Sequence, residues 1–134
     1  MNVIEAIKHR RSVRSFDGRQ LTEEEKNSLS DFFARADNPY GQDIEWVILD
    51  AEEHDLSSPV ITGCKNYLAG KMKRQAHSEE AFGYSFEKIV LQAEAMGLGT
   101  TWIAGTMDRK AFEKAVGLEE GQVMPCISPI GHPA

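Results

Sequence analysis

Phe82-Gly83-Tyr84-Ser85-Phe86-Glu87-Lys88-Ile89-Val90, continuing to Met96-Gly97-Leu98-Gly99-Thr100-Thr101-Trp102-Ile103-Ala104-Gly105, is the stretch whose reading decides the fold. Phe82, Phe86, Ile89, Val90, Ala93 and Met96 recur at helical spacing and predict a central core helix. Ser78 is its expected N-cap, with Glu79 and Glu80 placed where carboxylates complement the helix macrodipole. Gly97 stops it as a C-cap glycine, and the chain runs into a strand that leaves at Gly105.

Working outward, Asp108 caps a further helix through Val116, stopped by Gly117. Val123 to Ile130 reads as a proline-interrupted strand, hence an edge strand or a bulged one. Upstream, Asn66 to Gly70 reads as a short strand after one helical turn. Residues 51–60 form a polar loop. Ile44-Glu45-Trp46-Val47-Ile48-Leu49 is nearly continuous apolar sequence and is expected to be a central strand. Before it, Thr22 and Glu25 form a capping box for a helix that buries Leu29, Phe32, Phe33 and Ala36 and ends near Asn38-Pro39. Asn2 and Glu5 open a short first helix whose stripe is Val3, Ile4 and Ile7. Helices and strands intermix without a regular βαβ repeat, which predicts an α+β fold: one sheet flanked by helices.

The 134 residues suit a single domain over 1–134, and 41% hydrophobic and 27% charged content are those of a globular protein. No apolar run is long enough for a membrane span. Cys64 and Cys126 match no disulfide or metal framework, so free buried thiols in a cytoplasmic protein are expected.

Against a net charge of −6, the stretch Arg10-Arg11-Ser12-Val13-Arg14-Ser15-Phe16 is a basic island: from Lys8 to Arg19 only Asp17 is acidic. Guanidinium forks fit phosphate and carboxylate oxygens two at a time, and Ser12 adds a hydroxyl. A local basic island in an acidic chain, without interleaved aromatics, points to a local anion site and away from nucleic acid. The other reading of such a run is a solvated surface.

Familiar catalytic motifs are absent. Gly97-Leu98-Gly99 follows a helix instead of opening one, so it is no dinucleotide fingerprint. Gly63 to Lys71 has the wrong spacing for a phosphate loop. The four histidines lack metal-ligand spacing, and no serine sits in a nucleophile elbow. A chain rich in donors and poor in nucleophiles suits a protein that holds an anionic cofactor and leaves the chemistry to it.

The residues resemble a family at this point. Ile7 to Phe16, I-K-H-R-R-S-V-R-S-F, is similar to the N-terminal signature of the FMN-dependent nitroreductases. Phe82 to Lys88, Gly97 to Gly105 and Pro129-Ile130-Gly131-His132-Pro133 resemble later family segments in the right order. The segments around Asn38-Pro39-Tyr40-Gly41 and Thr62-Gly63-Cys64-Lys65 lie closer to a divergent branch. The resemblance implies a nitroreductase-like α+β fold with a mixed, largely antiparallel sheet, and a homodimer with FMN at the subunit interface. It implies that Arg10, Ser12 and Arg14 contact FMN, with Arg11 beside them. Trp102, Ile103, Ala104 and Gly105 would run along the isoalloxazine, where backbone amides reach N5. For the Trp102 side chain by itself, a core aromatic in a strand is the expected role. NAD(P)H would be the hydride donor and a nitroaromatic- or quinone-like small molecule the electron acceptor. The alternative is a flavin-binding module without turnover. The sequence ends at Ala134, where the resemblance would continue with a phosphate-binding basic residue and a dimer arm. A C-terminally truncated or short form with weakened cofactor binding is therefore the expectation.

Overall fold

In the computed structural model, which describes all 134 residues, the elements are α1 (Val3–His9), α2 (Glu23–Phe33), β1 (Glu45–Asp50), β2 (Asn66–Lys73), α3 (Ser78–Ala95), β3 (Gly99–Thr100), α4 (Arg109–Val116), β4 (Gln122–Val123) and β5 (Ile127–Gly131). The sheet order is β1-β2-β5-β3, every pairing antiparallel, with β4 also pairing with β2. This is the α+β architecture expected.

Both faces of the sheet are covered. On one face Leu68 and Met72 of β2 join Phe82, Phe86, Ile89 and Val90 of α3 and Leu29 of α2. On the other, Tyr67, Ala69 and Ile127 pack against Phe112 of α4 and Leu56 of the loop between β1 and β2. Burial of each large side chain of this kind is worth about 1.5–3 kcal/mol, so α3, with six core residues at 1% exposure or less, anchors the fold.

Two-sided cover also explains a difference from expectation. β1 is an edge strand, paired with β2 alone. Trp46 and Ile48 face one core cluster while Val47 and Leu49 face the other. The continuous apolar run reports two covered faces, not two strand neighbours. β2, next to it, has neighbours on both sides, and it extends to Lys73, beyond the short segment expected. The preceding residues form no helical turn; Thr62 instead bridges to Ser15.

The proline-containing strand is two strands. Between the pairs Met72–Val123 and Ala69–Ile127, β2 spends two residues where its partner spends three, Met124-Pro125-Cys126. That extra residue is a bulge. β5 is not an edge, since it lies between β2 and β3 and is buried throughout. The expected strand from Gly97 to Gly105 shrinks to Gly99–Thr100 plus one bridge, Ile103 to Ile127.

Helix ends follow the sequence except at the start of α3 and the end of α2, which stops at Phe33 instead of near Asn38-Pro39. Thr22 and Glu25 form the full capping box of α2, and Asn2 and Asp108 cap α1 and α4. Ser78 is already helical, and His77, at φ 65°, occupies the N-cap. At the far end, Gly97 N–H donates to Glu94 and Leu98 N–H to Ala93, the paired bonds of a Schellman motif. α2 ends at Phe33, followed by a turn in which the Asn38 side chain accepts from the Tyr40 and Gln42 amides and donates to Ser85 Oγ. The stripe of α1 is not buried: Val3, Ile4 and Ile7 are each more than half exposed and only Ala6 is inside.

Candidate cofactor site

α1 stops at Arg10, whose backbone turns extended. The next residues cross the sheet end as a strap tied to three segments. Val13 N–H donates to Thr100 O (2.9 Å), Thr62 N–H to Arg14 O (2.9 Å), and Phe16 N–H to Thr62 O (2.8 Å). Asp17 N–H reaches His132 O and Ala134 N–H reaches Ser15 O. Along the strap Val13 and Phe16 go inward while Arg11 and Arg14 remain exposed and Arg10 and Ser12 half-buried. The strap lies close because residue 99 is glycine: a Cβ there would stand 2.8 Å from Val13 Cβ.

The three guanidinium groups have no carboxylate within ion-pairing distance. The one hydrogen bond any of them makes is a long contact from Arg10 Nη1 to Arg11 O (3.5 Å). The acid in the strap is spent elsewhere: Asp17 accepts from the Arg19 amide and guanidinium, which hold its carboxyl below its ordinary pKa. Three unpaired arginines in a chain with 21 acids form a donor set lacking an acceptor.

Beyond Thr100 the chain continues into the second predicted stretch, so β3 brings the two together. Trp102 is 43% exposed, which corrects the expectation of a core aromatic. Its ring stands edge-on to Phe86 at 4.7 Å, and its Nε1–H donates to Glu87 (3.2 Å). Ile103 is buried and exchanges two hydrogen bonds with Ile127. Ala104 and Gly105 are exposed, and their amides find no acceptor within the chain.

Arg109 is the residue sequence reading missed. It donates to the carbonyls of Met124 (2.6 Å), Ala104 (2.8 Å) and Pro125 (3.3 Å). A signal was present: a cation in the first helical turn opposes the macrodipole, so it needs another partner.

The family model described as "Putative TM nitroreductase" matches residues 2–134. The chain belongs to this nitroreductase family. Among solved structures, it is similar to a nitroreductase family protein from Clostridium novyi NT, at 17% identity and TM-score 0.79, covering 100% of this chain and 86% of that one. It is similar to an FMN-dependent nitroreductase from Clostridium difficile R20291, at 19% identity and TM-score 0.80, covering 97% and 87%. NADPH:FMN oxidoreductase from Vibrio harveyi, complexed with NAD+, aligns at 21% identity and TM-score 0.76, covering 99% and 69%. No curated protein sequence matches the chain. These likenesses establish the nitroreductase-like fold, and family membership supports oxidoreductase chemistry in general. No helix of this nitroreductase-family chain is long and apolar enough to cross a membrane.

Proposed function

We propose that this chain is an FMN-dependent NAD(P)H oxidoreductase, folded as one domain, with the cofactor held between the arginine strap and the segment Trp102 to Gly105. The observation that carries the reading is the pairing of three arginines that lack carboxylate partners with two backbone amides that lack acceptors, on segments joined at Thr100. An anionic, planar cofactor satisfies both sets. FMN, when bound, supplies the hydride chemistry: acceptance from NAD(P)H and delivery to a nitroaromatic- or quinone-like small molecule in a ping-pong cycle.

The chain's own part is binding and orientation. Arg10 and Arg14 neutralise the cofactor's negative charge, Ser12 adds a hydroxyl donor, and Arg11 contributes less. The Ala104 and Gly105 amides are available as donors to a ring nitrogen, with Trp102 and Ile103 holding that segment from the α3 and β5 sides.

A homodimer completes the reading. Met1 and, on α1, Val3, Ile4 and Ile7 are exposed apolar side chains, and Met1 and Val3 line a recess of about 400 Å³ together with Ala6, Phe32, Leu91 and Ala95. Two free thiols, Cys64 and Cys126, are in keeping with a cytoplasmic setting.

The direct test is spectral. The purified protein, alone or after incubation with FMN and removal of excess, should show flavin absorption bands, and anaerobic NADH or NADPH should bleach them. Absence of bands after incubation refutes the cofactor. Bands that never bleach point to a binding module without turnover.

A further inference from the structure

Ile103 opposite Ile127 is a full two-bond rung between the segment after β3 and β5. Continuing that register brings Gly105 opposite Pro125, which has no N–H to donate, so the two-bond rung cannot be repeated. The carbonyls of Ala104 and Pro125 are then taken by one side chain, the Arg109 guanidinium, which also holds Met124 O. A planar fork on a helix N-terminus replaces the missing rung.

The consequence falls on one peptide plane. All peptide bonds in the chain are trans, so the Gly105 N–H is antiparallel to the Ala104 C=O. Fixing that carbonyl on Arg109 aims the Gly105 N–H away from the guanidinium, where it has no partner in the chain. Resting on the cofactor reading above, we propose that Arg109 is a positioning residue: it does not touch FMN but sets the direction of the amide that does.

The test uses the full chain and FMN. Binding is followed by quenching of flavin fluorescence for wild type, Arg109→Lys, Arg109→Gln and the neighbouring control Lys110→Gln. Affinity is expected to fall about tenfold or more in Arg109→Gln, with partial recovery in Arg109→Lys, and to stay within about twofold in Lys110→Gln. In the apo proteins, the Ile103 and Ile127 amides should keep their hydrogen-exchange protection while the Gly105 amide resonance shifts. Wild-type affinity in Arg109→Gln overturns the proposal, as does an equal loss in Lys110→Gln, which would assign the effect to net charge. Failure of the wild type itself to bind FMN refutes the cofactor reading and this inference with it. Should the Arg109 variants fail to fold, titration of wild type with FMN decides: the Gly105 amide resonance must shift, and a resonance that stays still overturns the proposal.

Discussion

The Ser128 hydroxyl stands in for a missing sheet rung beside Thr101. It accepts from Thr101 N–H at 3.0 Å and donates to Pro129 O at 2.6 Å, in a residue with no solvent exposure. The register places Thr101 opposite Pro129, which has no N–H to complete the pair. Ser128 thereby lets a proline-containing strand lie inside the sheet. Ser128→Ala leaves a buried amide and a buried carbonyl unpaired, at a cost of about 1–3 kcal/mol. The urea midpoint should fall with an unchanged m-value; an unchanged midpoint would show that the hydroxyl carries no such load.

That patch explains where sequence reading succeeded and where it stopped. Signals that are local by nature came through: the Thr22–Glu25 capping box, the Gly97 stop and the periodicity of α3. Signals that depend on distant partners did not. A proline demotes a strand to an edge unless a side chain elsewhere takes over its hydrogen bond, and Ser128 and Arg109 do so on either side of Ile127. The apolar run of β1 could not distinguish two covered faces from two flanking strands. The His77 cap rests on a left-handed backbone that no residue pattern announced. For the site, the arginine strap and the Trp102–Gly105 segment were legible as residue types. That Thr100 joins them, and that Arg109 orients one of them, belongs to tertiary structure.

Gly99 and Gly97 separate two uses of glycine two residues apart. Gly99→Ala drives a methyl group into Val13, which overpacking makes about 1–3 kcal/mol unfavourable, and displaces the strap carrying Ser12 and Arg14. Gly97 has φ 79° and nothing within 4 Å of a hypothetical Cβ, so Gly97→Ala costs about 1–2 kcal/mol of backbone strain alone. Both variants should lower thermal stability, but only Gly99→Ala should also weaken FMN binding. Equal FMN affinities in the two would mean that the strap is not seated by this contact.

Arg10→Ala and Arg14→Ala should each weaken FMN binding by about 1.5–3 kcal/mol, roughly ten- to a hundredfold. Lysine should restore part of this, since a point charge cannot reproduce a bidentate fork. Arg11→Ala should cost less. Melting temperature without FMN should stay level or rise, because these side chains have no carboxylate partner to lose and their mutual repulsion is relieved. Variants that bind FMN normally yet melt lower would make the cluster structural.

Glu25 links the N-terminus of α2 to the strand end. Its Oε1 accepts from Thr22 N–H at 2.9 Å and lies 3.0 Å from His132 Nε2. Burial pushes this carboxyl's pKa up, but the Thr22 amide and His132 together outweigh it and hold it below its ordinary 4.5. A carboxyl depressed in the folded state contributes stability that is complete above its unfolded pKa and is lost as pH falls through the folded one. Glu25→Gln keeps an oxygen for Thr22 but gives up the charge. The stability gap between wild type and Glu25→Gln should therefore narrow as the pH drops below 4.5. Urea midpoints measured across that range at fixed ionic strength test it. A gap that persists unchanged into strong acid would show that the Glu25 charge contributes nothing to the clasp.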